Sequence, residues 1–190
     1  MKQSIGSKTV LYPTPVLVVG TYDDEGRPNV MTAAWGGICC SQPPCLSVSL
    51  RSATHTHGSI VRRGAFTVSI PSEDHVREAD YFGIASGARE DKWAVSRLNP
   101  QAAEHVDAPY VAEFPLVLEC RLYQTHELGL HTQFIGEIVD VKVEEHCLVD
   151  GKVDIERVRP CLFAPDASAY YRVGGFAGKA FAIGRSFLAG

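Results

Sequence analysis

Over most of its length the chain alternates apolar and polar residues with a period of two, the spacing of strands that bury one face and wet the other. Leu46, Val48 and Leu50 alternate with Ser47 and Ser49, Phe66, Val68 and Ile70 with Thr67 and Ser69, and Leu116, Leu118, Cys120 and Leu122 keep the same period. Phe134 to Val143 sets Ile135, Val139, Val141 and Val143 against polar or small partners, and Asp150-Gly151 soon after is a turn signal. Nearer the N-terminus, Val16 to Tyr22 is a β-branched run that stops at the turn formers Asp23 to Pro28, and Asn29 to Gly37 resumes as a strand. That pair predicts a hairpin with a polar tip. Helical patterning is confined to short pieces: a turn or two at Ser59 to Arg63, and a helix capped by Ser72 that reaches about Ile84 and is the longest expected. Glu73 and Asp74 sit in its first turn, where negative charge suits the helix dipole.

Many antiparallel strands, few helices and no strand-helix-strand alternation predict a mainly β protein, a closed or nearly closed antiparallel barrel with short helices across its openings. The 190 residues suffice for one domain over 1–190 and leave little room for a second. No G-x-G-x-x-G follows a strand, no phosphate-binding loop is present, and the glycine-dense stretch Gly174 to Gly178 has neither spacing.

Charge and composition narrow the function. Eighteen Lys and Arg against 22 Asp and Glu leave a formal charge of −4, which argues against holding nucleic acid or anionic lipid by charge. The first apolar run, Pro15 to Val19, is too short for a signal core or a bilayer span, so the expected location is the cytoplasm. Six cysteines occur without a C-x-x-C, and His146 beside Cys147 has no second pair at zinc-site spacing. They read as reduced, mostly buried thiols.

Three stretches could carry chemistry. Arg51 to Ser59 follows a strand and leads into a helix; the hydroxyls of Thr54, Thr56 and Ser59, backbone N–H groups and Arg51 would suit a phosphate monoester, though the same hydroxyls equally serve as helix caps. Ser86 to Trp93 is rich in donors and offers Lys92 as a point charge, or is a solvated loop. In Asn29 to Gly37, small residues beside Trp35 would let a flat ring approach the backbone while Asn29 and Thr32 offer hydrogen bonds, although Trp35 alone fits a core equally well. His131, flanked by Thr132 and Gln133, has no role by itself. No serine lies in a G-x-S-x-G, so hydrolase chemistry has no specific support.

The ordered set Tyr12-Pro13-Thr14-Pro15, Asn29 to Trp35, Gln42 to Arg51, Thr54 to His57, Ser86-Gly87 with Asp91-Lys92, and the tail Tyr171 to Phe187 resembles the flavin reductase-like family, and within it the flavoredoxin group. The likeness covers nearly the whole chain. It implies a split β-barrel homodimer with non-covalent FMN near the subunit interface. Asn29, Thr32, Ala33, Ala34 and Trp35 would line the isoalloxazine, and Arg51, with Thr54 and Thr56 of the same segment, would lie near ribityl and phosphate. Lys92 would neutralise the phosphate, His131 would lie near the ring, and Phe163 would join from the Leu162 to Pro165 loop. The implied activity is electron transfer through FMN, supplied by a redox partner protein or by NAD(P)H. The alternatives are an NAD(P)H:flavin oxidoreductase feeding a partner oxygenase, and a flavin-binding protein without turnover. No nucleic acid or membrane partner is expected.

Overall fold

The computed structural model describes residues 1–188. Its strands are β1 (Thr14–Pro15), β2 (Leu17–Tyr22), β3 (Pro28–Ala33), β4 (Gly36–Ser41), β5 (Pro44–Arg51), β6 (Ala65–Ile70), β7 (Pro100–Ala102), β8 (Pro109–Val111), β9 (Leu116–Leu128), β10 (His131–Val143), β11 (Leu148–Val149), β12 (Lys152–Val153), β13 (Cys161–Ala164) and β14 (Ala169–Arg172). Four short helices interrupt them: α1 (His55–Arg63), α2 (Val76–Ile84), α3 (Lys92–Ser96) and α4 (Ile155–Val158).

Seven strands form one antiparallel sheet in the order β3-β2-β6-β9-β10-β5-β4. Its two edge strands are consecutive in the chain, joined by Ala34-Trp35, and Ser49 N–H donates to Trp35 O at 2.8 Å. The sheet therefore closes on itself, as the alternation predicted. β1, β13 and β14 make a separate small sheet.

The run Leu17–Tyr22 is apolar on both faces because both are buried. Leu17 and Val19 point into the barrel with Leu46, Val48, Phe66 and Phe134. Val16 and Val18 point outward into a second core with Val30, Phe82, Trp93 and Phe114. β3 divides in the same way, with Met31 and Ala33 against the barrel core and Val30 in the outer one. α2 and α3 cover the outer face of β3, and that contact positions the site.

Two expectations change in detail. The helix expected from Ser72 begins as a 3₁₀ turn, Glu73–His75, before α2, and the Ser72 hydroxyl meets His75 Nδ1 rather than capping the backbone. α1 starts at His55 and equals α2 at nine residues, so α2 is not uniquely the longest helix. The cysteines are free and mostly buried, as expected: Cys45, Cys120, Cys147 and Cys161 are buried, and Cys39 and Cys40 are exposed. Among the described residues no helix is long and apolar enough to cross a membrane.

Candidate functional site

β3 and its continuation through Trp35 carry the expected residues past three clefts. The first, about 430 Å³, is lined by Asn29, Gly87, Lys92 and Trp93 among others. The second, about 270 Å³, is lined by Thr32, Ala33, Ala34, Gly83, Phe163 and Tyr170 with three further residues. The third, about 590 Å³, includes Ala34, Trp35 and His131, with Lys8 to Leu11 among the residues on its wall. Ala34 borders both the second and the third, and β3 runs from Asn29 in the first to Thr32 and Ala33 in the second, so one strand serves all three. The extended stretch from Asn29 to Ala33 advances about 13 Å.

At the first cleft, Asn29 is buried and donates from Nδ2 to Thr56 Oγ1 at 2.9 Å, joining β3 to the first turn of α1. Its Oδ1 has no partner, and neither has the buried Nε2 of His55. A Cβ on Gly87 would lie 1.9 Å from Asn29 Oδ1 and 3.4 Å from His55 Cδ2, so only glycine lets the 85–91 loop close over both. Buried polar atoms without partners are rare, and two beside one cleft mark a place that can receive hydrogen bonds from or donate them to a ligand.

The cradle on Arg51 to Ser59 is only partly free. Thr54 occupies the N-cap position of α1, yet its hydroxyl donates to Arg51 O at 2.9 Å, and Ser59 Oγ donates to His55 O at 3.3 Å. Arg51 is exposed at the end of β5, paired in register with His131 on β10. Neither Arg51 nor Thr54 lines any of the three clefts.

Lys92 departs furthest from expectation. Its ammonium donates to Val30 O at 2.7 Å and Phe82 O at 3.0 Å and is 3% exposed, and burial pulls its pKa down to about 8. It is not an exposed point charge: two of its three N–H groups are spent on carbonyls. Beside it Trp93 Nε1–H donates to Pro28 O at 2.8 Å. Both residues are set by Asp91, whose carboxylate caps α3 by accepting from the N–H groups of Trp93 and Ala94. Pro28 and Val30 thus have their outward carbonyls taken, and the alternation of an antiparallel edge places the backbone groups of Thr32 next on that open side. The Thr32 hydroxyl is turned away, donating to Ala79 O of α2.

Phe163 enters from β13, where it pairs with Thr14 of β1, and its ring meets that of Tyr170 of β14 at a tilt, centroids 5.6 Å apart. Sequence reasoning missed the Tyr170 hydroxyl, which donates to Asp80 Oδ1 at 2.9 Å across the second cleft. Burial, then Asp80, pushes its pKa above the usual phenol value. Nothing local in either residue signals a partner 90 positions away. His131 is the first residue of β10.

Residues 9–166 match the family described as flavin reductase like domain. The chain belongs to that family. Two solved structures are similar along nearly the whole length: a flavoredoxin of Desulfovibrio vulgaris (Miyazaki F), 59% identical with TM-score 0.93 over 97% of this chain and 100% of that one, and a flavoredoxin from Methanosarcina acetivorans, 33% identical with TM-score 0.93 over 98% and 99%. The reductase component of a 4-nitrophenol 4-monooxygenase/4-nitrocatechol 2-monooxygenase from Rhodococcus opacus is 29% identical over 126 residues, 66% of this chain and 64% of that protein. The split barrel of the flavin reductase family is thus the architecture found here.

Proposed function

We propose that this protein is an FMN-binding electron-transfer flavoprotein of the flavoredoxin type. The observation that carries the reading is the 59% identity to a flavoredoxin along 97% of the chain, joined to clefts along β3 that include unpartnered buried polar atoms. The residues fit the group. Asn29, Thr56 and the first N–H groups of α1 would take the phosphate end, with Lys92 offering its remaining N–H and Arg51 and Thr54 acting from further out. The open edge of β3 at Thr32, with Ala33 and Ala34, would receive the polar edge of the ring system. Small side chains there let a flat heterocycle reach the backbone, and Trp35, Phe163 and His131 would enclose it.

When bound, FMN supplies the redox chemistry, accepting and releasing electrons. The chain supplies the rest: Phe163 and Trp35 exclude water, and His131 offers a ring N–H where the reduced cofactor would gather negative charge. No protein nucleophile is required. We read the working form as a homodimer whose electrons come from a redox partner protein.

A second reading, an NAD(P)H:flavin oxidoreductase that releases reduced flavin to an oxygenase, is favoured by the match to a monooxygenase reductase component. Anaerobic stopped flow separates the two. A chemically reduced low-potential carrier protein should bleach the flavin of the purified protein faster than NADH or NADPH at equal concentration. Reduction by either nucleotide within the mixing time, followed by loss of flavin, overturns the first reading in favour of the second.

A further inference from the structure

The β4–β5 hairpin carries three of the six cysteines, and the proposed flavin site uses none of them. Cys39 and Cys40 are exposed on β4, and Cys45, on β5, is 2% exposed. The register pairs Ile38 with Leu46, Cys40 with Cys45 and Ser41 with Pro44. Cys39 is therefore the extra residue of a β-bulge, and Cys40 stands directly opposite Cys45 beside a two-residue turn. Opposed residues share a sheet face, with Cα atoms about 4.5 or 5.5 Å apart in the two kinds of antiparallel pair. Both separations fall inside the roughly 4.4–6.8 Å that a disulfide spans.

The three thiols differ in access. Cys40 Sγ lies 3.4 Å from Gln42 O at the exposed turn, where a solution reagent can reach it. Burial pushes the Cys45 thiol up, and its neighbours Cys39 and Cys40 add to the effect. Cys120 and Cys161 are buried on other strands, and burial pushes their thiols to about 12 and about 11.

We propose that Cys40 and Cys45 form a reversible thiol–disulfide pair, oxidised by low-molecular-weight disulfides. The Cys40 thiolate attacks one sulfur of the reagent RSSR, forming a Cys40–S–SR bond and releasing RS⁻. The Cys45 thiolate then attacks the Cys40 sulfur, forming Cys40–Cys45 and releasing the second RS⁻. Two protein thiols are oxidised, one reagent disulfide is reduced to two thiols, and the two cysteine protons pass to the released thiolates. β4 leaves Trp35 directly, so the bond would staple the edge strand that leads out of the proposed flavin site.

The test uses the full-length flavin-loaded protein with oxidised glutathione as probe. Intact mass should fall by two hydrogens with no glutathione retained, and fragmentation of the tryptic peptide that carries all three cysteines should locate the bond between Cys40 and Cys45. Dithiothreitol should restore the mass. Cys45→Ser should stop at a glutathione adduct on Cys40, whereas Cys39→Ser should close as the wild type does. A wild-type protein that keeps the adduct without closing, or closes between another pair, overturns the proposal. Since the wild-type mapping decides it alone, poor folding of a variant does not.

Discussion

Lys92 gives the site a pH signature at the scale of one residue. Its pKa falls to about 8 on folding, so below that pH the folded chain holds a charged amine that burial penalises by on the order of 3 kcal/mol. Between about pH 8 and the ordinary lysine value the unfolded chain binds a proton that the folded chain does not, and stability rises with pH across that window. The urea midpoint of the flavin-free protein should therefore increase from about pH 8 to 10, and Lys92→Met should flatten that rise. A phosphate at the remaining N–H would favour the charged amine, so FMN affinity should weaken as pH passes about 8 while riboflavin affinity should not; parallel behaviour of the two flavins would refute the phosphate contact. Gly87 makes a steric prediction. Alanine there forces its Cβ onto Asn29 Oδ1, and fluorescence titration should show FMN binding weakened about tenfold, equivalent to about 1.4 kcal/mol, together with a lower melting temperature of the flavin-free protein.

Among the elements, α3 is five residues long and cannot hold its shape alone, yet it delivers both Lys92 and Trp93 to the edge of β3. Asp91→Ala removes the cap that fixes its start and should cost about 1 kcal/mol in chemical denaturation, with FMN affinity falling in step; Asp91→Asn should retain most of both. The same elements show what the sequence could and could not disclose. β2, β5, β6 and the inner part of β9 were legible because each buries at least one face of a period-two pattern. The outer end of β9, from Tyr123 to Leu128, is almost wholly exposed and leaves no such trace. β1, β13 and β14 are two to four residues long, too short for any period, and β1 finds β13 about 150 positions away. The candidate site was legible as residue types on one strand and one helix start. The turning of Lys92 toward two carbonyls, and of the Thr54 and Thr32 hydroxyls toward Arg51 and Ala79, was not, because those directions are set by packing of distant segments.

For the molecule as a whole, the chain after β14 presents Phe176, Phe181, Ile183 and Phe187 to solvent, each at least two-thirds exposed. Apolar side chains in that density need cover, and a second copy of the chain would supply it in the proposed homodimer. Light scattering on the eluting peak should give twice the chain mass, and replacing Phe181 and Phe187 with serine should shift it toward the monomer; a wild-type monomer that still holds FMN would remove the dimer from the account. The central claim concerns the cofactor, and the visible spectrum of the protein after gel filtration and acid precipitation tests it most directly. The spectrum should show about one flavin per chain, released into the supernatant and behaving as FMN on chromatography. A colourless protein that gains no flavin absorbance when incubated with FMN, or a flavin that stays with the precipitate, would contradict it.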